Sequence, residues 1–418
     1  MQDVIHLNDA WKSIGRLSVN FIRKWKTVIM GKVFICADTE FPRKGAVSNY
    51  IETFAKALKV NQKDVYVIAV SHKQEEYTRW TEYNQIVYTS IYYDVSNKRN
   101  TLCARMNIGK KMWNCIYQNG VSSEDTIICY TNNFFFMKSI YTNAEKRKIK
   151  VINCVCEWHI AQQFKYGYLD IFNFWYYCLG FYCGIGISGN VIAISRKLEE
   201  FFVKKGCKVL RFPPLIDFPQ GNIELNKPCE KIKFIYSGSF KNKDSMQVML
   251  KAFAALPHDM KRKVEFHITG YSWEKLYKMS IVPQEIWENV RELLVVHEWM
   301  EYNELIELYK QMHFLLIARE TNRVTLSNFP SKVPEMMAWG IIPIMTQVGD
   351  LPNLYLEDGV DSILFSQCDV SECCQAITKA INLTPEKRRY MQDCARKKAE
   401  MAFDYAQWSE KIGKFIGA

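Results

Sequence analysis

No C-x-x-C spacing occurs among the 14 cysteines of this chain. Cys154 and Cys156 are one residue apart, Cys373 and Cys374 are adjacent, and no His/Cys cluster follows either pair. This excludes the common zinc spacings and a disulfide framework. Cys36, Cys129 and Cys154 sit inside apolar runs, where reduced core thiols, and hence the cytoplasm, are expected. No D-x-D run marks a strand end, so no metal is expected. No secretory signal peptide is expected either: Asp3, His6 and Asp9 interrupt the start, and no small-residue cleavage site follows an apolar core. An acidic excess is also missing. Lys and Arg total 55 against 44 Asp and Glu, a net charge of +11. That balance asks for an anionic partner: a nucleic acid, a phosphorylated small molecule or an anionic membrane face. At 48% hydrophobic and 24% charged, the chain is neither disordered nor collagen-like. Its 418 residues are enough for two domains of similar size.

One stretch, 171–195, carries no charge and is long enough to span a bilayer. Its four glycines, two asparagines and two serines argue against a span. It divides instead into an aromatic helix, a Gly/Ser turn and a short strand, VIAIS, with the Trp/Tyr-rich part suited to an interfacial position.

Strand-like and helix-like segments alternate along the chain, which predicts α/β domains with parallel sheets. Strands are expected at KVFICAD, VYVIAV, TIICY, VINCVC, VIAIS and KVLRF, with helices over GAVSNYIETFAKAL, 101–118, 133–143 and 196–205. Four prolines and a glycine in the stretch from Phe212 read as a linker. The alternation then restarts with KFIYSG, VEFHITG, LLVVHEW, HFLLIA and IIPIM, separated by helices and one long polar loop. The expected division is 1–30 as a leader, 31–211 as a first domain, 212–230 as a linker, 231–400 as a second domain, and 401–418 as a C-terminal helix positioned to return to the first domain.

In the leader, Lys12, Arg16, Arg23, Lys24 and Lys26 interleave with Trp11, Ile14, Leu17, Phe21, Ile22 and Trp25. This pattern suits either a basic amphipathic helix on an anionic membrane or an ordinary surface segment. The first 32 residues hold six bases and two acids, +4 of the total +11.

The most informative segment begins at Ala318: ARETNRVTLSNFPSKVPEMMAWGIIPI. A buried strand ends in a polar loop, Ser331 is the expected N-cap of the next helix, and Gly340 is its expected stop. Ligands of parallel sheets bind at strand carboxyl ends against helix N-termini, where free N–H groups suit a diphosphate. Lys332 and Arg319 add positive charge there, and Glu335, in the first turn, could accept two ribose hydroxyls. The alternative is simple helix-start electrostatics.

The segment PSKVPEMMAWGIIPI resembles the donor-binding signature of retaining GT-B glycosyltransferases of glycosyltransferase family four (group 1). Three further segments match in order: FPRKGAVSNYIETFAKAL, the family's first loop and helix; CEWHIAQQFKYG, an acidic-aromatic cleft motif of bacterial surface-polysaccharide members; and FIYSGSFKNKDSMQVMLKAF, the opening of its second domain. The likeness covers nearly all of 32–418. It implies an α/β GT-B fold, two Rossmann-like parallel-sheet domains facing across a cleft. It implies that Glu335 binds the nucleotide ribose and that Lys243 contacts the diphosphate. Gly45 is then the close-approach glycine, with Asn49 opening the helix behind it, and Ser331 and Lys332 flank the donor. Glu157 and His159 face the sugar and the acceptor. The sequence departs from the pattern twice. Ser327 stands where the family has its first glutamate, and Ser239 where an arginine often follows the second-domain glycine, a charge that Arg319 would replace.

The implied reaction moves a sugar from a UDP- or GDP-linked donor to a glycan or polyprenyl-diphosphate-linked acceptor, in capsule, O-antigen or exopolysaccharide synthesis. It needs no cofactor: Lys243, Arg319, Lys332 and helix N–H groups stabilise the leaving diphosphate. Retention follows from the resemblance, in which that phosphate takes the acceptor's proton. The enzyme is then cytoplasmic and peripheral on the inner membrane face. A nucleic-acid partner lacks support, because the bases are spread out and no recognition motif appears. A nucleotide-sugar epimerase and a weakened sugar-binding homologue remain as alternatives on the same fold.

Overall fold

The computed structural model describes residues 31–42, 45–73, 79–164, 170–221, 230–238 and 243–417. The basic leader, Ser239 and the linker residues 222–229 lie outside them. The first half runs β1 (Val33–Ala37), α1 (Ala46–Val60), β2 (Val65–Ser71), β3 (Thr81–Tyr83), β4 (Ile86–Tyr92), α2 (Lys98–Gln118), β5 (Thr126–Tyr130), α3 (Phe134–Glu145), β6 (Lys150–Val155), α4 (Asp170–Leu179), β7 (Asn190–Ala193), α5 (Arg196–Lys204) and β8 (Lys208–Arg211). Its sheet has the order β3-β4-β2-β1-β5-β6-β7-β8. The β3–β4 pair is antiparallel and the other pairs are parallel. No element is expected from the sequence over 81–92, where β3 and β4 form.

The second half runs β9 (Ile232–Ser237), α6 (Met246–Ala254), β10 (Val264–Thr269), β11 (Leu294–His297), α7 (Tyr302–Tyr309), β12 (Phe314–Ile317), α8 (Arg323–Ser327), α9 (Lys332–Ala338), β13 (Ile342–Thr346), β14 (Ile363–Phe365), α10 (Val370–Ile381), α11 (Pro385–Phe403) and α12 (Tyr405–Ile416). Its parallel sheet has the order β11-β10-β9-β12-β13-β14. The long polar loop expected before α9 contains a helical turn, α8. In both halves the chain winds outward from the first strand, returns, and winds the other way. The reversals fall between β1 and β5 and between β9 and β12. Such switch points open a crevice at the strand carboxyl ends, where doubly wound sheets bind ligands.

The strands form because their residues are apolar on both faces, as parallel sheets covered by helices require. Every residue of VFICA (β1) and FLLI (β12) is buried. Phe234 pairs in register with Phe266 and Phe314 across three strands, and all three are fully buried. A further apolar cluster crosses from half to half, joining Val155, Trp158 and Phe202 to Leu315, Met336 and Phe403.

The Pro-rich connection begins as packed chain rather than as a free tether. Phe212, Leu215, Ile216 and Phe218 are buried. The Ile216 N–H donates to the Phe403 carbonyl (2.9 Å), and the Tyr405 N–H donates to the Ile216 carbonyl (3.1 Å). The chain therefore crosses between the halves at two adjacent places. Helix α12 then lies on α1, burying Trp408, Ile412 and Phe415 in the first half's core, and Asn61 Nδ2 donates to the Ser409 carbonyl at 2.6 Å.

Two buried histidines give the second sheet an acid sensitivity. His313 Nδ1 accepts the Lys233 N–H at 3.0 Å, and His267 Nδ1 lies 2.9 Å from His297 Nε2. Burial pushes His267 and His313 down to about 4. Unfolded histidines titrate near pH ~6.5, so on acidification the unfolded chain takes up these protons first. Their stabilisation is complete above that value and is lost as pH falls through about 4. Each contributes at most about 3 kcal/mol. Melting midpoints should fall as pH is lowered from neutrality, and His313→Gln should flatten the fall. A midpoint indifferent to pH over that window would contradict this account.

Candidate functional site

The second switch point is framed by Ser237 at the end of β9 and by Arg319, just beyond β12. Lys332 reaches this point from the first turn of α9. Its Nζ donates to the Ser237 carbonyl and lies 3.4 Å from Ser237 Oγ, which also accepts from Thr269 Oγ1 at 2.9 Å. Glu335 is one turn further along, partly exposed, with the Tyr302 hydroxyl near its carboxylate. Burial pushes the Glu335 pKa up, opposed by the Lys332 charge and the Tyr302 hydrogen bond. Burial pushes Lys332 down, opposed by Glu335 and Asp244. Tyr302 also feels the carboxylates of Asp217 and Glu52, so this group faces α1 of the other half.

Helix α9 stops as the sequence predicts. Gly340 adopts φ 74°, its N–H donates to the Met337 carbonyl (2.9 Å), and the Ile341 N–H donates to the Met336 carbonyl (3.1 Å). This is a Schellman motif, which needs the left-handed residue. Its start differs from expectation. Ser331 already has helical angles (φ −56°, ψ −23°) and makes no side-chain cap, because the turn opens at Pro330, whose carbonyl accepts the Val333 N–H at 3.0 Å.

Arg319 also departs from its expected role. It is buried, its Nε pairs with Asp244 Oδ1 at 2.5 Å, and its Nη1 donates to Asn328 Oδ1 at 3.2 Å. The other Asp244 oxygen accepts the Tyr236 hydroxyl at 2.9 Å. The guanidinium is thus committed inside the domain rather than held free for a diphosphate. Ser327 is buried too, its hydroxyl turned back onto the Arg323 carbonyl at 2.8 Å.

Glu157 follows β6 in the first half and meets the second half directly. One oxygen accepts from Lys243 Nζ and from Asn328 Nδ2 (3.3 Å), and the other lies 3.1 Å from His159 Nε2. The Tyr177 hydroxyl on α4 accepts the His159 N–H (3.0 Å) and donates to the Glu157 carbonyl (3.2 Å). Between the two, the buried Trp158 ring carries the Arg323 guanidinium 5.2 Å from its centre. The structure therefore brings Glu157, His159 and Lys243 together across the cleft. Asn328 and Arg323 belong to the same contact, though their sequence signal is only their place in the segment that begins at Ala318. A cavity of about 230 Å³ opens beside Lys243, lined also by Asp244, Ser245, Glu320 and Asn322 at the head of α6.

Gly45 precedes α1 with φ 91°, in exposed, open space, so its backbone angle rather than crowding favours glycine. Asn49 is exposed one turn in, with its N–H on the Gly45 carbonyl at 3.2 Å. Neither is hydrogen-bonded to the Glu157 or Glu335 groups among the described residues. Also among the described residues, no three His, Cys, Asp or Glu side chains gather as a metal site would require.

Residues 219–398 match the family described as glycosyl transferases group 1. No curated protein sequence matches the chain. Its architecture is similar to that of sucrose-phosphate synthase from Thermosynechococcus elongatus, with TM-score 0.70 and 13% identity over 92% of this chain and 98% of that one. The lipopolysaccharide outer core galactosyltransferase WaaB aligns with TM-score 0.63 and 13% identity over 92% and 99%. HepE from Anabaena, solved in complex with UDP, aligns with TM-score 0.64 and 12% identity over 92% and 98%. The structural likenesses show the two-domain GT-B fold; with the family match over the second half, they support a GT-B glycosyltransferase.

Proposed function

We propose that the protein transfers a glycosyl group from a UDP- or GDP-linked sugar to a hydroxyl of a glycan or polyprenyl-diphosphate-linked acceptor, with retention and without a metal, in cell-surface polysaccharide synthesis. The observation that carries this reading is the Glu157–Lys243 pair across the cleft, linked through Asn328 to the switch point. The donor diphosphate would occupy the crevice beside Lys243 and α6, competing with Glu157 for the ammonium group. Lys332 and the helix N–H groups add positive potential where the leaving group gains charge. The bond from the anomeric carbon to the diphosphate oxygen breaks, and the bond to the acceptor oxygen forms. The acceptor proton passes to the departing diphosphate. Glu157 and His159 border the acceptor side, and closure of the two halves excludes water.

Release of nucleoside diphosphate, measured over a panel of nucleotide sugars with and without acceptor, tests the reading. Acceptor-dependent release that persists in chelator supports it. An interconverted sugar with no release would make the protein an epimerase. Lys243→Ala should weaken nucleoside diphosphate binding about tenfold or more, as loss of a charge-assisted hydrogen bond does. An unchanged dissociation constant by calorimetry would remove Lys243 from the donor site.

A further inference from the structure

Helix α4 is apolar on nearly every side (DIFNFWYYCL), yet only one of its faces is packed. Tyr177, and Phe181 in the following π-turn (Gly180–Gly184), are buried in the core shared by the two halves. The outer face carries Ile171, Phe172, Trp175, Leu179 and Tyr182, exposed by 58, 68, 69, 37 and 40%. Ile171, Trp175 and Leu179 follow at four-residue spacing, so they form one stripe. A helix that is apolar all round is normally covered on all sides.

Helix α2 continues this surface. Arg105 joins the two helices: its Nη1 donates to Asn173 Oδ1 at 3.0 Å, and its guanidinium lies 5.5 Å from the Tyr176 ring centre. Beside it, Lys98, Leu102, Met106 and Lys110 repeat every fourth residue, all exposed. Leu102 is 56% and Met106 51% exposed. Helix α2 holds Lys98, Arg99, Arg105, Lys110 and Lys111 and no acidic residue. Lys138 borders the patch over the Phe134 ring, and Lys205 borders it over the Tyr182 and Phe201 rings. Among the described residues, Lys98, Arg99, Lys110, Lys138 and Lys205 form no ion pair with a carboxylate.

We propose that the outer faces of α4 and α2 dock the protein on an anionic lipid bilayer. The occupant is set by the chemistry of the patch. Trp and Tyr side chains favour headgroup depth, the aliphatic side chains enter the acyl boundary, and the rim of lysines and arginines meets anionic headgroups. No helix among the described residues is long and apolar enough to cross a membrane, so α4 lies on the surface. The buried face of the same helix holds Glu157 and His159 through Tyr177. Docking would therefore bring that edge of the cleft to the bilayer, where a lipid-linked acceptor resides. The consequence for catalysis rests on the proposed function; the docking itself does not.

The test is sedimentation of the full chain with phosphatidylglycerol/phosphatidylcholine vesicles and with pure phosphatidylcholine vesicles. The wild type should partition onto the anionic vesicles, less strongly as salt rises. Phe172→Ser/Trp175→Ser should lower that partition at least about tenfold. Trp299→Ser, in the other half, should leave it unchanged. A wild-type-like cooperative melting transition by circular dichroism reports whether a variant has folded; if the first variant loses it, Leu102→Ser/Met106→Ser decides instead and should lose partition likewise. Wild type that stays in the supernatant overturns the proposal. So does a folded variant that sediments like wild type, which would assign binding to the leader. Equal binding to both vesicle types overturns the anionic partner, and a wild-type dimer made monomeric by the substitutions would assign the face to self-association. A wild type that docks but transfers no sugar leaves this surface standing and removes the proposed function.

Discussion

Glu335→Ala should lower kcat/KM for sugar transfer at least about a hundredfold while leaving the fold intact. Two hydrogen bonds from ribose hydroxyls to a carboxylate are worth about 1.5–3 kcal/mol each, so their joint loss spans about two to four powers of ten. Glu335 is partly exposed in the first turn of α9, and its removal opens no core cavity. Its carboxylate lies near the Tyr302 hydroxyl, and a ribose hydroxyl would approach the same carboxylate. Burial raises its pKa, so the ionised acceptor is lost on acidification at a higher pH than for an ordinary glutamate. Nucleotide affinity should accordingly fall as pH drops through that raised value, and Glu335→Gln should remove this limb of the profile. Wild-type turnover in Glu335→Ala would exclude the residue from the site.

The features legible in the sequence are the local ones. Buried parallel strands are short runs of apolar, mostly β-branched or aromatic residues, and FLLI or VFICA can scarcely be anything else in an alternating chain. The stop of α9 is equally local, because Gly340 supplies its left-handed angle. Glu335 and Lys332 occupy one helix turn, so their proximity follows from spacing. Resemblance assigns Glu157 and Lys243 separate places along the cleft, but their direct pairing, across 86 residues of chain, comes only with the fold. What escapes the sequence depends on long-range partners. Nothing local reveals that Arg319 turns inward to Asp244, 75 residues away, or that Asn328 links it to Glu157. Ser331 has the composition of an N-cap, but Pro330 starts the turn one residue earlier and draws it into the helix. The unexpected strand β4 shows the same dependence: IVYTSIY is only partly buried, so its strand character comes from pairing with β2 rather than from an uninterrupted apolar run.

The inward turn of Arg319 separates two readings of that residue by experiment. Were it a diphosphate ligand in the cleft, Arg319→Met would weaken nucleotide binding and barely alter stability. In the structure it is 5% exposed, pairs with Asp244 through Nε and steadies Asn328 through Nη1. Removing one member of a buried pair strands the other charge and costs about 3–5 kcal/mol. Tyr236 still donates to Asp244, but a neutral hydroxyl cannot replace the cation. At two to four degrees per kcal/mol for a unit of this size, the melting midpoint should drop by roughly 10 °C. Asp244→Asn combined with Arg319→Met removes both charges and should recover part of the loss, which a double-mutant cycle measures as coupling. Additive losses would mean that the two side chains act independently. An unshifted midpoint in Arg319→Met with tenfold weaker nucleotide binding would return the arginine to the donor site. The expected result instead makes Arg319 a support for Asn328, and through it for the Glu157 carboxylate, so the double variant should regain stability without regaining full transfer.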